Sequence, residues 1–226
     1  MHTPPVVTVD GPSGSGKGTV SRLVAQRTGW HLLDSGALYR LLALAASKAG
    51  LDMDEAGPIA ALADEIRIEF RETPDRQEMI VLDGEEVTRQ VRAEATGGLA
   101  SRIAVLPDVR KALFDRQLAF RRSPGLVADG RDMGTVVFPD AILKIFLDAS
   151  AEERARRRYF QLREMGENAN LAGLHAEIMR RDERDRARAV APLIPAEDAV
   201  TIDTTSLPPA EVLAKVDELL KSRGLI

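Results

Sequence analysis

Gly11-x-x-x-x-Gly16-Lys17 narrows the fold more than any other feature of this sequence. It follows the apolar run Val6–Asp10 and opens directly into an amphipathic stretch. Such a loop turns successive backbone N–H groups onto phosphate oxygens when a strand delivers it and a helix N-terminus receives it. Both flanks are present. Val20, Leu23, Val24 and Arg27 recur at helical spacing after the loop, and Gly29 stops the pattern, so a helix is predicted over Lys17–Thr28. Gly11, Pro12, Ser13, Gly14, Ser15, Gly16, Lys17, Gly18 and Thr19 are thus the expected cradle for a nucleoside triphosphate, with Lys17 reaching its β- and γ-phosphates. Residue 18 departs from the general pattern. It is Gly where Ser or Thr usually ligates Mg2+, and the hydroxyl arrives one place later, at Thr19.

Short apolar runs alternate with amphipathic stretches along the chain, the pattern of parallel strands joined by crossover helices. Five core strands are expected, at Val6–Asp10, His31–Leu33, Leu126–Asp129, Ile142–Leu147 and Ala199–Asp203. Further helices are predicted over about 37–49, from about 151 behind a Ser150-x-x-Glu153 capping box, and after Pro208-Pro209, where Val212, Leu213, Val216, Leu219 and Leu220 form an apolar stripe. Two segments interrupt the alternation. Ile66–Phe70, Met79–Asp83 and Glu85–Thr88, with Gly84 between the last two, read as a small antiparallel meander inserted in the parallel fold. Residues 154–188 hold ten Arg, no Lys and six acidic residues, a local excess of four positive charges in a chain of net charge −4.

With 226 residues and 44% hydrophobic content, one α/β domain with insertions is the expected organisation. The net negative charge restricts any nucleic-acid reading to a local basic patch. Disulfides, thiolate metal sites and cysteine nucleophiles are excluded by the absence of cysteine. No run approaches the roughly eighteen apolar residues of a membrane span, and the N-terminus lacks the basic and apolar segments of an export signal, so a cytoplasmic chain is expected. His2, His31 and His175 show no metal-ligand spacing. Asp129, at the end of an apolar strand, is the candidate metal-side carboxylate, with a turn cap as the alternative.

The Gly-Lys-Gly-Thr ending of the loop resembles nucleoside monophosphate kinases. Together with Leu33-Asp34-Ser35-Gly36-Ala37-Leu38-Tyr39-Arg40, Ala128-Asp129-Gly130-Arg131-Asp132-Met133-Gly134-Thr135 and Arg181-Asp182-Glu183-Arg184-Asp185-Arg186, leading to Arg188-Ala189-Val190-Ala191-Pro192-Leu193, it resembles bacterial cytidylate kinases across residues 11 to 193. The resemblance implies an α/β fold of P-loop kinase type, in which a five-stranded parallel sheet flanked by helices carries a small antiparallel monophosphate-binding insert and an Arg-rich lid. It implies a single domain over 1–226, with core at about 1–60, 94–150 and 190–226, insert at about 61–93 and lid at about 151–189. The implied reaction is phosphoryl transfer from ATP, with Mg2+, to CMP or dCMP by a monomer that binds neither nucleic acid nor membrane.

Roles follow from the same resemblance. Lys17, Arg131, Arg157 and Arg181 form the implied catalytic set. Arg40 and Arg131 hold the acceptor α-phosphate, Arg181 contacts phosphate near the acceptor, Asp185 accepts from the ribose hydroxyls, and Arg188 reaches base and phosphate. Ser35 donates to the nucleotide or caps a helix. Asp132 accepts from the cytosine amine with Ser101, and Arg110 donates to N3 or O2; spacing alone leaves Ser101 an exposed helix residue and Arg110 an ordinary first-turn charge. Arg154, Arg157 and Arg158, at i, i+3 and i+4, can point together at a γ-phosphate or form a solvated face. The competing readings are a nucleotide-dependent RNA-binding module built on the Arg-rich segment, and a kinase for another small acceptor such as UMP or shikimate.

Overall fold

The computed structural model describes residues 3–72, 78–164, 166, 168–188 and 190–226. In chain order the elements are β1 (Val6–Asp10), α1 (Lys17–Thr28), β2 (His31–Asp34), α2 (Ser35–Lys48), α3 (Ala56–Glu65), β3 (Ile68–Glu72), β4 (Glu78–Leu82), β5 (Glu85–Glu86), α4 (Thr88–Arg92), α5 (Glu94–Ile103), α6 (Pro107–Leu118), β6 (Leu126–Gly130), a π-helical turn (Met133–Val137), β7 (Leu143–Asp148), α7 (Ala151–Glu164), α8 (Leu171–Arg186), β8 (Val200–Asp203) and α9 (Pro209–Ser222). His2 and Ala189 lie outside the described residues. The chain divides into two compact units, one formed up to Asp34 and from Leu118 onward, the other by Ser35–Gln117.

The first unit is built on a five-stranded sheet in the order β2-β6-β1-β7-β8, all pairs parallel. Its strands read as near-continuous apolar runs because both faces are covered. α1, through Val20 and Val24, and α9, through Val212, Val216 and Leu220, pack on Val7, Val9, Val127, Leu143, Ile145 and Leu147. Trp30 belongs to this packing and lies against Gly125, where an added Cβ would come within 2.4 Å of the indole. α7 and α8 form a helical pair around Ala155, Leu162, Leu174 and Ile178. Asn170 caps α8 by accepting from the N–H groups of Ala172 and Gly173. Only half of the expected capping box forms at α7: Ser150 Oγ accepts from Glu153 N at 3.2 Å, but the Glu153 carboxylate turns to Arg156 and Arg157.

The second unit packs α2, α3, α5 and α6 with a three-stranded antiparallel sheet, β3-β4-β5, around Leu41, Leu42, Ile59, Ile80, Leu82, Ile103, Val109 and Leu113. A two-residue turn with positive φ at Asp83 and Gly84 joins β4 to β5, the geometry that matches strand twist. Five strand ends of this sheet differ from expectation, and two of the shifts have a local cause. β3 starts at Ile68 because the Ile66 N–H still closes α3 on Leu62 O, and the third strand stops at Glu86 because Thr88 opens α4 and its hydroxyl accepts from Ile80 N at 2.9 Å.

Candidate active site

Two glycines shape the phosphate loop. Gly11 leaves β1 at φ +148°, where an added Cβ would stand 2.1 Å from the Leu147 carbonyl oxygen, so no side chain fits. Gly16, at φ +91°, ends the loop as the N-cap of α1, whose first-turn N–H groups are left to the loop rather than to a capping side chain. Lys17 Nζ folds back to 3.4 Å from the Pro12 carbonyl. Burial lowers the lysine pKa, and the negative charge of Asp129 opposes that effect.

The strand register then decides what stands beside the loop. Asp10 of β1 pairs with Gly130 of β6, so Gly11 and Arg131 leave the sheet side by side at the carboxyl ends of the strands, where ligands bind in open α/β sheets. Asp34 of β2 stands opposite Asp129. Asp129 lies at the edge of the loop, its Oδ2 3.3 Å from where a Cβ on Gly18 would be. Burial pushes the Asp129 pKa up to about 7 against the pull of Lys17, with Asp34 and Asp10 adding to the rise.

Arg131 sits in a network with α8. Its Nε donates to Asp185 Oδ2 at 2.5 Å, Arg188 donates to the other Asp185 oxygen, and the Asp185 side chain is 1% exposed. Burial would raise the Asp185 pKa, but Arg131, Arg188 and Arg181 outweigh it and hold the carboxyl below its ordinary range. Arg131 Nη2 is buried with no hydrogen-bond partner among the described residues. Arg181 is buried on the same helix, and Asp132 is buried at the start of the π-helical turn. Arg184, expected on the same face, is exposed and donates to Arg180 O.

Arg154, Arg157 and Arg158 of α7 do not converge. Arg154 is 1% exposed; it donates to Ala149 O at 2.9 Å, to Ser13 O at 3.1 Å, and with both Nη atoms to the Asp182 carboxylate. It braces the phosphate loop from beneath. Arg157 donates to Glu153 at 2.9 Å and to the Thr204 carbonyl at 2.5 Å, while Arg158 donates to Gln161 at 2.7 Å. Helical spacing predicts a shared side of α7, but Arg154 is drawn to Ser13 and Asp182 and Arg157 to Thr204, while Arg158 stays with Gln161 of its own helix. Arg157 lines a cavity of about 580 Å3 that begins at Ser15, Gly16 and Thr19 and is walled by Thr205, Leu207, Pro208, Val212 and Leu213. Its lining is mostly apolar with several hydroxyls, and Glu153 and Arg156 join Arg157 in it, a mixture that suits the base and sugar of a nucleotide. Sequence reasoning missed Arg154 as a brace, Asp182 as its partner and Thr204 as a hub; only the apolar-to-polar change after β8 hinted at the last.

In the second unit, Ser35 is buried as the first residue of α2. Arg40 donates from one Nη to the Val91 and Ala93 carbonyls at 2.9 and 3.0 Å, and its guanidinium fills the space over Gly97, where a Cβ would stand 2.7 Å from Nη2. Ser101, which spacing leaves exposed, is 3% exposed because α5 turns it inward. Arg110 lies half-buried in the first turn of α6. Among the described residues, no three His, Cys, Asp or Glu gather as a metal site, and no helix is long and apolar enough to cross a membrane. His31 contacts the Ser123 carbonyl at 3.0 Å and His175 lies 3.4 Å from Glu152.

Backbone donors and fixed positive charge around a phosphate cradle are the chemistry of a P-loop phosphotransferase. The sequence model of the cytidylate kinase family matches residues 7–222, and the chain belongs to that family. Cytidylate kinase of Stutzerimonas stutzeri is 58% identical over 98% of this chain and 97% of its own. Those of Marinomonas sp. and Pseudomonas putida are 54% and 56% identical, each over 98% of both chains. A solved shikimate kinase from Acinetobacter baumannii in complex with shikimate aligns over 99% of this chain and 97% of that one at 18% identity and a TM-score of 0.42, too remote to bear on the acceptor. Neither the RNA-binding module nor a different acceptor finds support among these relatives.

Proposed function

We propose that this chain transfers the γ-phosphoryl group of ATP to CMP or dCMP, giving ADP and CDP or dCDP for pyrimidine nucleotide metabolism. The observation that carries the reading is the β1–β6 register, which sets the phosphate loop beside Arg131 and Asp132 in a member of the cytidylate kinase family. An oxygen of the acceptor phosphate attacks the γ-phosphorus in line, the bond to the β,γ-bridging oxygen breaks, and its electron pair leaves with ADP. No phosphoenzyme forms. Residues Gly11 to Thr19 hold the triphosphate, and the cavity beside Thr19 takes the donor base. Lys17, Arg131 and Arg181 neutralise charge that builds on the migrating group, and Arg157 acts from the wall of the donor cavity.

For the acceptor, Arg40 and Arg131 are assigned to the α-phosphate, with Arg181 close by. Asp185 and Arg188 take the ribose hydroxyls and the base with its phosphate, and Ser35 donates to the nucleotide. Asp132 and Ser101 accept from the cytosine amine, and Arg110 donates to N3 or O2. Mg2+ fits the oxygen donors present, because the Asp129 carboxylate stands at the Gly18 edge of the loop, with the Arg22 guanidinium also near, and Thr19 offers a hydroxyl one position on. Asp129 would hold the ion, largely through waters, and when bound the ion supplies charge neutralisation at the β- and γ-oxygens. The enzyme is assigned as a cytoplasmic monomer.

Coupled ADP production across CMP, dCMP, UMP, AMP and shikimate tests the reading. Turnover with CMP and dCMP well above the others is expected. Preference for any other acceptor, or no turnover with any, overturns it.

A further inference from the structure

Asp10 ends β1, and the next residue begins the phosphate loop. The residue is 5% exposed, and its carboxylate is occupied on both oxygens: Oδ1 accepts from Met133 N at 2.9 Å and Oδ2 from Gly134 N at 2.8 Å, 123 and 124 residues further along the chain. These are the first two N–H groups of the π-helical turn, whose N-cap is Asp132. An aspartate at an N-cap ordinarily caps its own helix. Here Asp132 makes no such bond. The capping is done from another strand, so the Asp132 carboxylate is not drawn back onto its own turn. The contact is also sterically tight, since a Cβ on Gly134 would stand 2.8 Å from Thr8 Oγ1 and 3.3 Å from Asp10 Oδ2.

We infer that Asp10 is a positioning residue that fixes the Arg131–Asp132 corner by capping the Met133–Val137 turn in place of Asp132, and that it thereby sets acceptor affinity and base choice while itself touching neither nucleotide. The inference rests on the assignment of Asp132 to the acceptor base. Because Asp10 is also covalently joined to Gly11, it links the start of the donor loop to the acceptor corner through one side chain.

Asp10→Asn keeps the shape but offers one acceptor oxygen and turns an N–H2 group toward a backbone N–H. Losing one buried hydrogen bond to a charged group corresponds to about a tenfold change. The expected result is a KM for CMP raised about tenfold, a KM for ATP changed by less than about twofold, and a narrowed preference for CMP over UMP. Gly134→Ala, which crowds the same carboxylate from the other side, should give the same split if Asp10→Asn fails to fold. An unchanged KM for CMP in a folded variant overturns the inference, as does an equal rise for CMP and ATP. Asp132→Ala separates the two layers. If it loses the CMP preference while Asp10→Asn and Gly134→Ala keep it, the positioning role is wrong and the acceptor reading stands; if Asp132→Ala keeps it, the reading beneath the inference is wrong.

Discussion

Arg131 Nε donates to Asp185 Oδ2 at 2.5 Å, joining the end of β6 to a helix 54 residues away, and Arg188 takes the other oxygen of the same carboxylate. Burial alone would favour the protonated carboxyl, but Arg131, Arg188 and Arg181 outweigh it and depress the Asp185 pKa. Asp185→Asn removes the negative charge that these guanidinium groups share at the end of α8, at a cost of about 3 kcal/mol in stability. The sign of the pH dependence follows. A carboxyl with a depressed folded pKa contributes its full stabilisation above its ordinary pKa and loses it as pH falls through the folded value. The gap between wild type and Asp185→Asn in urea unfolding should hold from pH 7 to about 4 and close below that. A gap independent of pH down to 3 would reject the network.

Lys17 sits within the loop, its ammonium against the Pro12 carbonyl and beside Asp129. On the proposed reading, replacing it with Ala removes a cation that neutralises the migrating phosphoryl and leaves the glycine geometry of the loop intact. The expected loss in kcat is about two to three orders of magnitude, the scale of removing one transition-state donor. Circular dichroism and the unfolding midpoint should stay close to wild type. Near-normal turnover in a folded Lys17→Ala protein would detach the loop from catalysis.

What the sequence makes legible here is local. The loop, its strand and α1 are read directly, since glycine spacing, an apolar run and helical periodicity all lie within about twenty residues, and α1 runs over Lys17–Thr28 as its periodicity predicts. The five strands follow for the same reason. Arg154 shows where that legibility ends: periodicity places it on one side of α7, but Asp182 and the Ser13 carbonyl, 28 and 141 residues away, decide where its guanidinium goes. Ser101 is hidden in the same way, because its burial depends on how α5 packs and the Gly97-Gly98 pair weakens the apolar stripe that would announce it. The β1–β6 register that brings Gly11 and Arg131 together is likewise a tertiary fact with no local signature.

The Arg154–Asp182 pair is a buried two-pronged ion pair whose arginine also holds the Ser13 carbonyl of the phosphate loop. Removing either partner alone, as Arg154→Met or Asp182→Leu, strands a buried charge and should destabilise the fold by about 3–5 kcal/mol. The double variant should recover much of this, since packed apolar groups of similar volume replace a buried pair at little cost. A double-mutant cycle by urea unfolding measures the difference as a coupling energy. Strictly additive losses would show that the two residues act independently. Every variant lacking Arg154 should also raise the KM for ATP, because the loop carbonyl loses its donor from beneath.

Asp132 is buried at 6% exposure and does not cap the turn it begins. On the proposed reading this carboxylate faces the acceptor base, and cytosine presents its exocyclic amine where uracil presents a carbonyl. The carboxylate attracts the first and repels the second. A hydrogen bond to a charged group contributes about 1.5–3 kcal/mol, so Asp132→Ala should shrink the ratio of kcat/KM for CMP over UMP by about ten- to a hundredfold. Most of the change should come from poorer CMP use, with UMP use constant or improved as the repulsion disappears. Parallel steady-state assays with both monophosphates read this directly. An unchanged ratio would mean that the base is discriminated elsewhere in the protein, and Asp132 would lose its assignment to the cytosine amine.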